Sequence, residues 1–199
     1  MLHWYFFCFL DVIIQRNTKG YGADFNRGWS DYKEGFGNVQ SKTFWIGLDT
    51  IHDLTKTGAY SLEVILKKNG NTKTVRWNSF MVDSESNKYR LSVSGYSGTS
   101  ELSDELNYSN GMYFSTRDRD NDQTGNNCAS SNNGSGWWFK AGPCAYCILN
   151  SAKSSGIYYY GGSWYEESTM ILKRWINHLL LTYQFSSLYV DIINLLAQN

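Results

Sequence analysis

This 199-residue chain has little of what marks several common functional classes. Its charge is balanced, with 18 basic and 18 acidic residues and no basic cluster, so it lacks the electrostatic footprint of a nucleic-acid binder. Histidine occurs only at positions 3, 52 and 178, and no nucleophile and base pair or paired catalytic carboxylates emerge, which argues against an enzyme. No long apolar run is present. The Leu/Ile-rich segment from Trp175 to Asn199 is interrupted by His178, Gln184, Asp191 and Asn194, a pattern unsuited to a membrane span. Proline appears once, and there is neither an internal repeat nor a low-complexity linker. Four cysteines allow three pairings if all are oxidised, and the residues alone do not choose among them. Cys144-Ala145-Tyr146-Cys147 spells CxxC, but the βαβ context of a redox dithiol and the second ligand pair of a zinc site are both missing.

What the chain does have is aromatic bulk and one acidic loop. Eight Trp and fifteen Tyr suit a β-rich core and amphipathic binding surfaces, because these rings bury large area while keeping a polar tip. The length fits one domain with a core of its own. Asp118, Asp120 and Asp122 alternate, so an extended backbone would aim the three carboxylates to one side, neighbours roughly 6–7 Å apart. Their repulsion would be on the order of 1–3 kcal/mol at an effective dielectric near 20, and a hard divalent cation removes it, which points to calcium. An EF-hand is excluded, since Gln123 stands where its glycine is required and Ala129 where its bidentate glutamate is required. Thr124, Gly125, Asn126 and Asn127 instead leave the backbone free to bend around an ion and offer it carbonyls. A solvated acidic turn is the plainer alternative.

Periodicity predicts strands over 12–16, 61–67, 73–77 and 89–93, with Lys68-Asn69-Gly70-Asn71 as a hairpin turn. Short helices are expected from Asn26 to Tyr32 and from Asp49 to Lys56, and loops dominate from Gly95 to about Ser163.

Longer motifs then carry a resemblance. Gln15-Arg16, DFNRGWSDYKEGFGN (24–38), FWIGLDTIHDLT (44–55), YRLSVSGYSGT (89–99), NGMYFSTRDRDND (110–122), NCA (127–129) and GSGWWF (134–139) occur in one order across residues 11–174. In these the chain resembles the fibrinogen C-terminal domain family, which includes ficolins, tachylectins, angiopoietins and the C-terminal modules of tenascins. The resemblance implies an α+β fold: a central antiparallel sheet with short flanking helices, closed by a returning strand at 170–174, followed by an irregular, loop-rich calcium-binding subdomain. It implies a disulfide between Cys128 and Cys144, leaving Cys8 and Cys147 without family partners. A bridge closing about 15 residues is worth roughly 3 kcal/mol and implies an oxidising, extracellular compartment. Carried over residue by residue, calcium ligands fall on the carboxylates of Asp120 and Asp122 and the carbonyls of Thr124 and Asn126, with Asp118 a supporting outer charge.

The pocket that the family places beside this loop departs from pattern. Ala145 stands where a histidine usually follows the cysteine, Ile148-Leu149-Asn150-Ser151 replaces Asn-Leu-Asn-Gly, and the next loop shrinks to 152–155. Asn133 and Ser154 replace acidic positions that in fibrinogen meet a cationic knob peptide, so fibrin-type polymerisation is rejected. Acetyl-sugar binding relies more on an aromatic funnel, for which Ala145, Tyr146, Tyr158, Tyr160 and Trp164 are the candidates. The Gly142-Pro143 peptide is a candidate for the cis bond that the family keeps before this cysteine.

The resemblance therefore implies a secreted, calcium-dependent recognition module that binds acetylated glycans or an extracellular protein ligand. A degenerate adhesion or matrix domain without ligand binding is the alternative. Residues 1–10 are expected to be an apolar leader outside the family, without the basic start or cleavage site of a signal peptide, and 175–199 a tail outside it. Oligomerisation would need coiled-coil or collagen-like sequence that the chain does not carry. Asn107-Tyr108-Ser109 and Asn133-Gly134-Ser135 are possible glycan acceptors that fit secretion.

Overall fold

A computed structural model describes residues 7–159 and 163–177. Among the described residues the main sheet has seven strands: β1 (Phe7–Thr18), β2 (Phe36–Gly37), β3 (Phe44–Trp45), β4 (Tyr60–Lys68), β5 (Asn71–Val82), β6 (Leu91–Gly98) and, far along the chain, β12 (Glu167–Asn177). Their order is β2-β3-β1-β12-β4-β5-β6, all pairs antiparallel. The alternation read from the sequence is real. Leu62, Val64 and Leu66 of β4 and Val75 and Trp77 of β5 are fully buried on one face. On the opposite face Glu63 pairs with Arg76 across β5 and with Lys173 across β12, so one strand serves a dry core and an ionic ladder at once.

The hairpin between β4 and β5 turns on two residues, Asn69 and Gly70, with φ of 50° and 76°. This left-handed pair matches the right-handed strand twist, which is why the Asn-Gly dipeptide marks the turn. The closing strand is longer than its apolar run predicts, 167–177 against 170–174, and it inserts between β1 and β4. Its ladder with β1 runs from Phe7↔Asn177 to Thr18↔Glu167, into both flanks expected to lie outside the domain.

Helices α1 (Trp29–Glu34) and α2 (Leu48–Thr55) flank the sheet. The first begins three residues later than expected, after a 3₁₀ turn at Gly22–Phe25 and an N-cap at Gly28. The loop-rich half carries short pieces only: β7 (Phe114–Ser115) with β8 (Trp137–Trp138), the one-turn helix α3 (Cys128–Ser131), and β9 (Cys147–Ile148), β10 (Ile157–Tyr159) and β11 (Ser163–Tyr165) in a small antiparallel sheet.

An aromatic seam joins the two halves. Phe114 lies 5.0 Å from Trp138, 5.2 Å from Tyr32 and 6.2 Å from Trp45, ring centre to ring centre. Their polar tips are used up by the backbone: Trp138 donates to the Tyr89 carbonyl, Trp45 to that of Tyr32, and the Tyr32 hydroxyl bridges Phe25 and Gly136. Burial drives the Tyr32 phenol far above its ordinary range. A second, polar seam runs from β1. Gln15 and Asn17, both fully buried, donate side-chain amides to the carbonyls of Leu149 and Ser151 and so hold the 149–151 segment against the sheet. No described helix is long and apolar enough to cross a membrane.

Candidate functional site

The acidic loop does not run extended. Thr116 and Arg119 exchange backbone hydrogen bonds, Thr116 N to Arg119 O at 3.0 Å and Arg119 N to Thr116 O at 3.1 Å, which folds Arg117 and Asp118 into a tight turn. The alternation of the three aspartates therefore does not place them along one straight edge. Asp118 faces α1, where its carboxylate accepts from the Trp29 amide at 3.0 Å and from the Thr116 hydroxyl at 2.7 Å. Gly28 makes room for it: a Cβ there would come 2.6 Å from Asp118 Oδ2. The carboxylate thus supplies the helix cap that α1 lacks in its own sequence, 89 residues away along the chain. Partial burial works against its ionisation, but the hydroxyl and amide donors outweigh it and hold the carboxyl below the usual value. Beside it the Arg119 guanidinium lies 4.1 Å over the Trp29 ring and reaches Glu85, which also takes the Trp29 indole N–H at 2.7 Å.

Asp122 is the hinge of the rest of the loop. Its Oδ1 accepts from the Thr124 amide and hydroxyl, each at 2.8 Å, and its Oδ2 from the Cys128 amide at 2.8 Å. Asp120 is more exposed, and its Oδ1 takes the Asp122 amide at 3.1 Å. The Thr124 hydroxyl is within hydrogen-bond reach of the Asn126 carbonyl as well as the Asp122 carboxylate, which draws two of the four expected ligand groups around one point. The donors are all hard oxygens, the kind calcium takes. Among the described residues no three His, Cys, Asp or Glu side chains gather as a metal-holding group, so an ion here would depend on main-chain carbonyls.

Asp122 leads directly to the disulfide. Cys128 and Cys144 are bonded, with Cα atoms 5.8 Å apart. Asn127 caps the short helix that starts at Cys128, accepting from the Ser130 amide at 2.9 Å, and ties back to the Thr116 carbonyl at 3.0 Å. With Cys144 so engaged, the CxxC pair is not a dithiol. Cys147 is free and buried in β9, and burial, with Glu105 and Asp104 nearby, pushes its thiol well above the ordinary value, the opposite of a reactive cysteine. The Cys8 side chain lies outside the described residues.

Cys144 sits between Pro143 and Ala145, and both line a cavity of about 190 Å³ together with Asn132, Ile148, Ser151, Lys153, Tyr158 and Trp164. No cis peptide occurs among the described residues, which corrects the expectation for Gly142-Pro143. The chain reverses instead through Gly142 at φ 90° and Cys144 at φ 67°, closed by the Lys140 amide donating to the Cys144 carbonyl at 2.8 Å. Of the predicted walls, Tyr158 and Trp164 face each other across β10 and β11, ring centres 5.2 Å apart, and Trp164 is 36% exposed. Ala145 is buried at the cavity wall. Tyr146 does not line it and packs on Tyr108 at 4.1 Å. Tyr160 lies outside the described residues. Of the other lining residues, Ile148 and Ser151 belong to the segment read as a departure from the family's pocket, whereas Asn132, Pro143 and Lys153 come from separate loops, share no periodic signal and were not among the predicted walls.

A family model for the C-terminal globular domain of the fibrinogen beta and gamma chains matches residues 11–192. The chain belongs to the fibrinogen C-terminal domain family. Human tenascin-R is 39% identical over 155 residues, 78% of this chain and 11% of tenascin-R. Bovine angiopoietin-4 is 43% identical over 149 residues, 74% of this chain and 28% of that protein. The chain thus spans only a minor part of these fibrinogen-domain relatives. The fibrinogen-like globe domain of human ANGPTL2 superposes with a TM-score of 0.72 at 32% identity, over 81% of this chain and 79% of that one. Lamprey fibrin D-dimer, in complex with the peptide Gly-His-Arg-Pro-amide, gives 0.70 at 27% identity over 81% and 60%. The α+β fold expected from the motifs is the fold of these globes, and the fibrinogen-like domains to which the chain is similar are non-enzymatic.

Proposed function

We propose that the chain is a secreted, calcium-dependent recognition module whose 190 Å³ cavity binds the acetylated group of a glycan. One observation carries this: a single path links the acidic loop to the cavity, from the Asp122 carboxylate by a hydrogen bond to the Cys128 amide and then through the disulfide to Cys144 between two wall residues. An ion held by Asp120, Asp122 and the carbonyls of Thr124 and Asn126 would fix that loop and with it the cavity rim. Extracellular calcium modules bind at about 10⁻⁴–10⁻³ M, within reach of two carboxylates and a few carbonyls. Pro143, Ala145, Tyr158 and Trp164 give the cavity apolar walls that suit a methyl group, and Asn132 and Ser151 give it polar groups. The recognition unit in this proposal is 11–174, although the β1–β12 ladder extends past both edges and the family match past the second.

A protein ligand is the second reading, favoured by the peptide complex of the lamprey fibrin neighbour. Its cationic peptide has no carboxylate to meet here, since among the described residues no acidic side chain lines the cavity. Retention of the chain on N-acetylated resin, with release by a chelator, tests the proposal. Failure to be retained in calcium would leave the degenerate matrix domain as the better account.

A further inference from the structure

The cavity contains one charge, and it is positive. Lys153 lines it, and among the described residues no Asp or Glu does. The Lys153 main chain is pinned on both sides, its amide donating to Ser151 Oγ at 3.3 Å and its carbonyl accepting from the Gly156 amide at 3.1 Å. The half-buried Lys153 makes no ion pair or side-chain hydrogen bond among the described residues. A lysine without a carboxylate partner at such a cavity favours an anionic ligand there. Tyr158 and the part-exposed Trp164 line the same cavity, and the C–H face of a sugar can lie on such rings. At 190 Å³ the cavity is smaller than sites that enclose a whole drug-sized ligand, so it takes one terminal residue or substituent.

We infer that the cavity selects an acidic sugar, with Lys153 pairing its carboxylate while Trp164 and Tyr158 support its ring. The inference rests on the glycan-binding proposal above and makes Lys153 the residue that sets the preferred charge.

The test is calorimetric titration of the full chain, in calcium, with three probes: the methyl glycoside of N-acetylneuraminic acid, the methyl ester of that glycoside, and N-acetylglucosamine. The free acid should bind about three- to tenfold tighter than its ester, the scale of one part-exposed charge-assisted hydrogen bond. Raising the salt should shrink that ratio, and Lys153→Gln should bring acid and ester to equal affinity. Equal affinity for acid and ester, or a preference that survives Lys153→Gln, would overturn the inference while leaving glycan binding in place. No binding of any of the three would overturn both. The ester comparison needs no variant, so a poorly folding Lys153→Gln chain would not blunt the test.

Discussion

The sheet and the loop-rich half are held together by different forces. In the sheet, long antiparallel ladders satisfy the backbone and a continuous apolar face, Leu62, Val64, Leu66, Val75, Met170 and Leu172, is removed from water. In the loop-rich half the ordered strands are two or three residues long, and side chains bond the backbone in place of other strands. Asp122 takes the Cys128 amide, Asn127 the Ser130 amide, and Asn121 reaches the Phe114 carbonyl at 2.8 Å. The sheet should thus be indifferent to redox state and divalent ions, whereas the loops should depend on both. The comparison suggests a division of labour in which a stable scaffold carries a site whose order is conditional.

The largest effect should come from breaking the scaffold. Leu62→Ala opens a cavity at a fully buried position and should cost about 2–5 kcal/mol, seen as one cooperative loss of both halves in thermal unfolding. Cys128→Ser with Cys144→Ser should cost about 3 kcal/mol by loop-closure entropy. Here the two halves should separate: far-ultraviolet dichroism of the sheet persists at 25 °C, while retention on acetylated resin is lost. Asp118→Ala should cost about 1–2 kcal/mol, as removal of a helix cap does, and should expose α1 amides to hydrogen exchange ahead of the sheet. Gly28→Ala should act on the same contact by displacing the carboxylate.

The cap also has a pH signature. The folded-state carboxyl of Asp118 is held below its unfolded value, so its contribution is fully present above the unfolded pKa of about 3.9. It is lost as pH falls through the lower folded value. Asp118→Asn should remove that acid-dependent part of the unfolding curve, and an identical acid limb in both proteins would count against the cap.

The same contrast governs what could be read in advance. Strands β4 and β5 were legible because period-2 apolarity and an Asn-Gly turn are local signals. The disulfide was legible through long motifs shared with the fibrinogen C-terminal domain family, not through spacing. The capping role of Asp118 was hidden, because its partner is the Trp29 amide on a distant helix and nothing near either residue announces the contact. Tyr146 looked like a cavity wall by composition, yet Tyr108, brought over by the 3₁₀ turn at Leu106–Ser109, takes its ring. Lys153 lies in a short loop whose sequence carries no local signal of a site. Its meaning appears only when Asn132, Pro143 and Trp164 close around it.

Hydrogen exchange of the intact chain, followed by mass spectrometry with calcium and then with chelator, tests the central claim most directly. Calcium should slow exchange across 116–128 and, through the disulfide, across 143–148, while amides of β4 and β5 stay unchanged. Equal exchange of both loop segments in the two conditions, or a calcium effect centred on the sheet, would contradict the account.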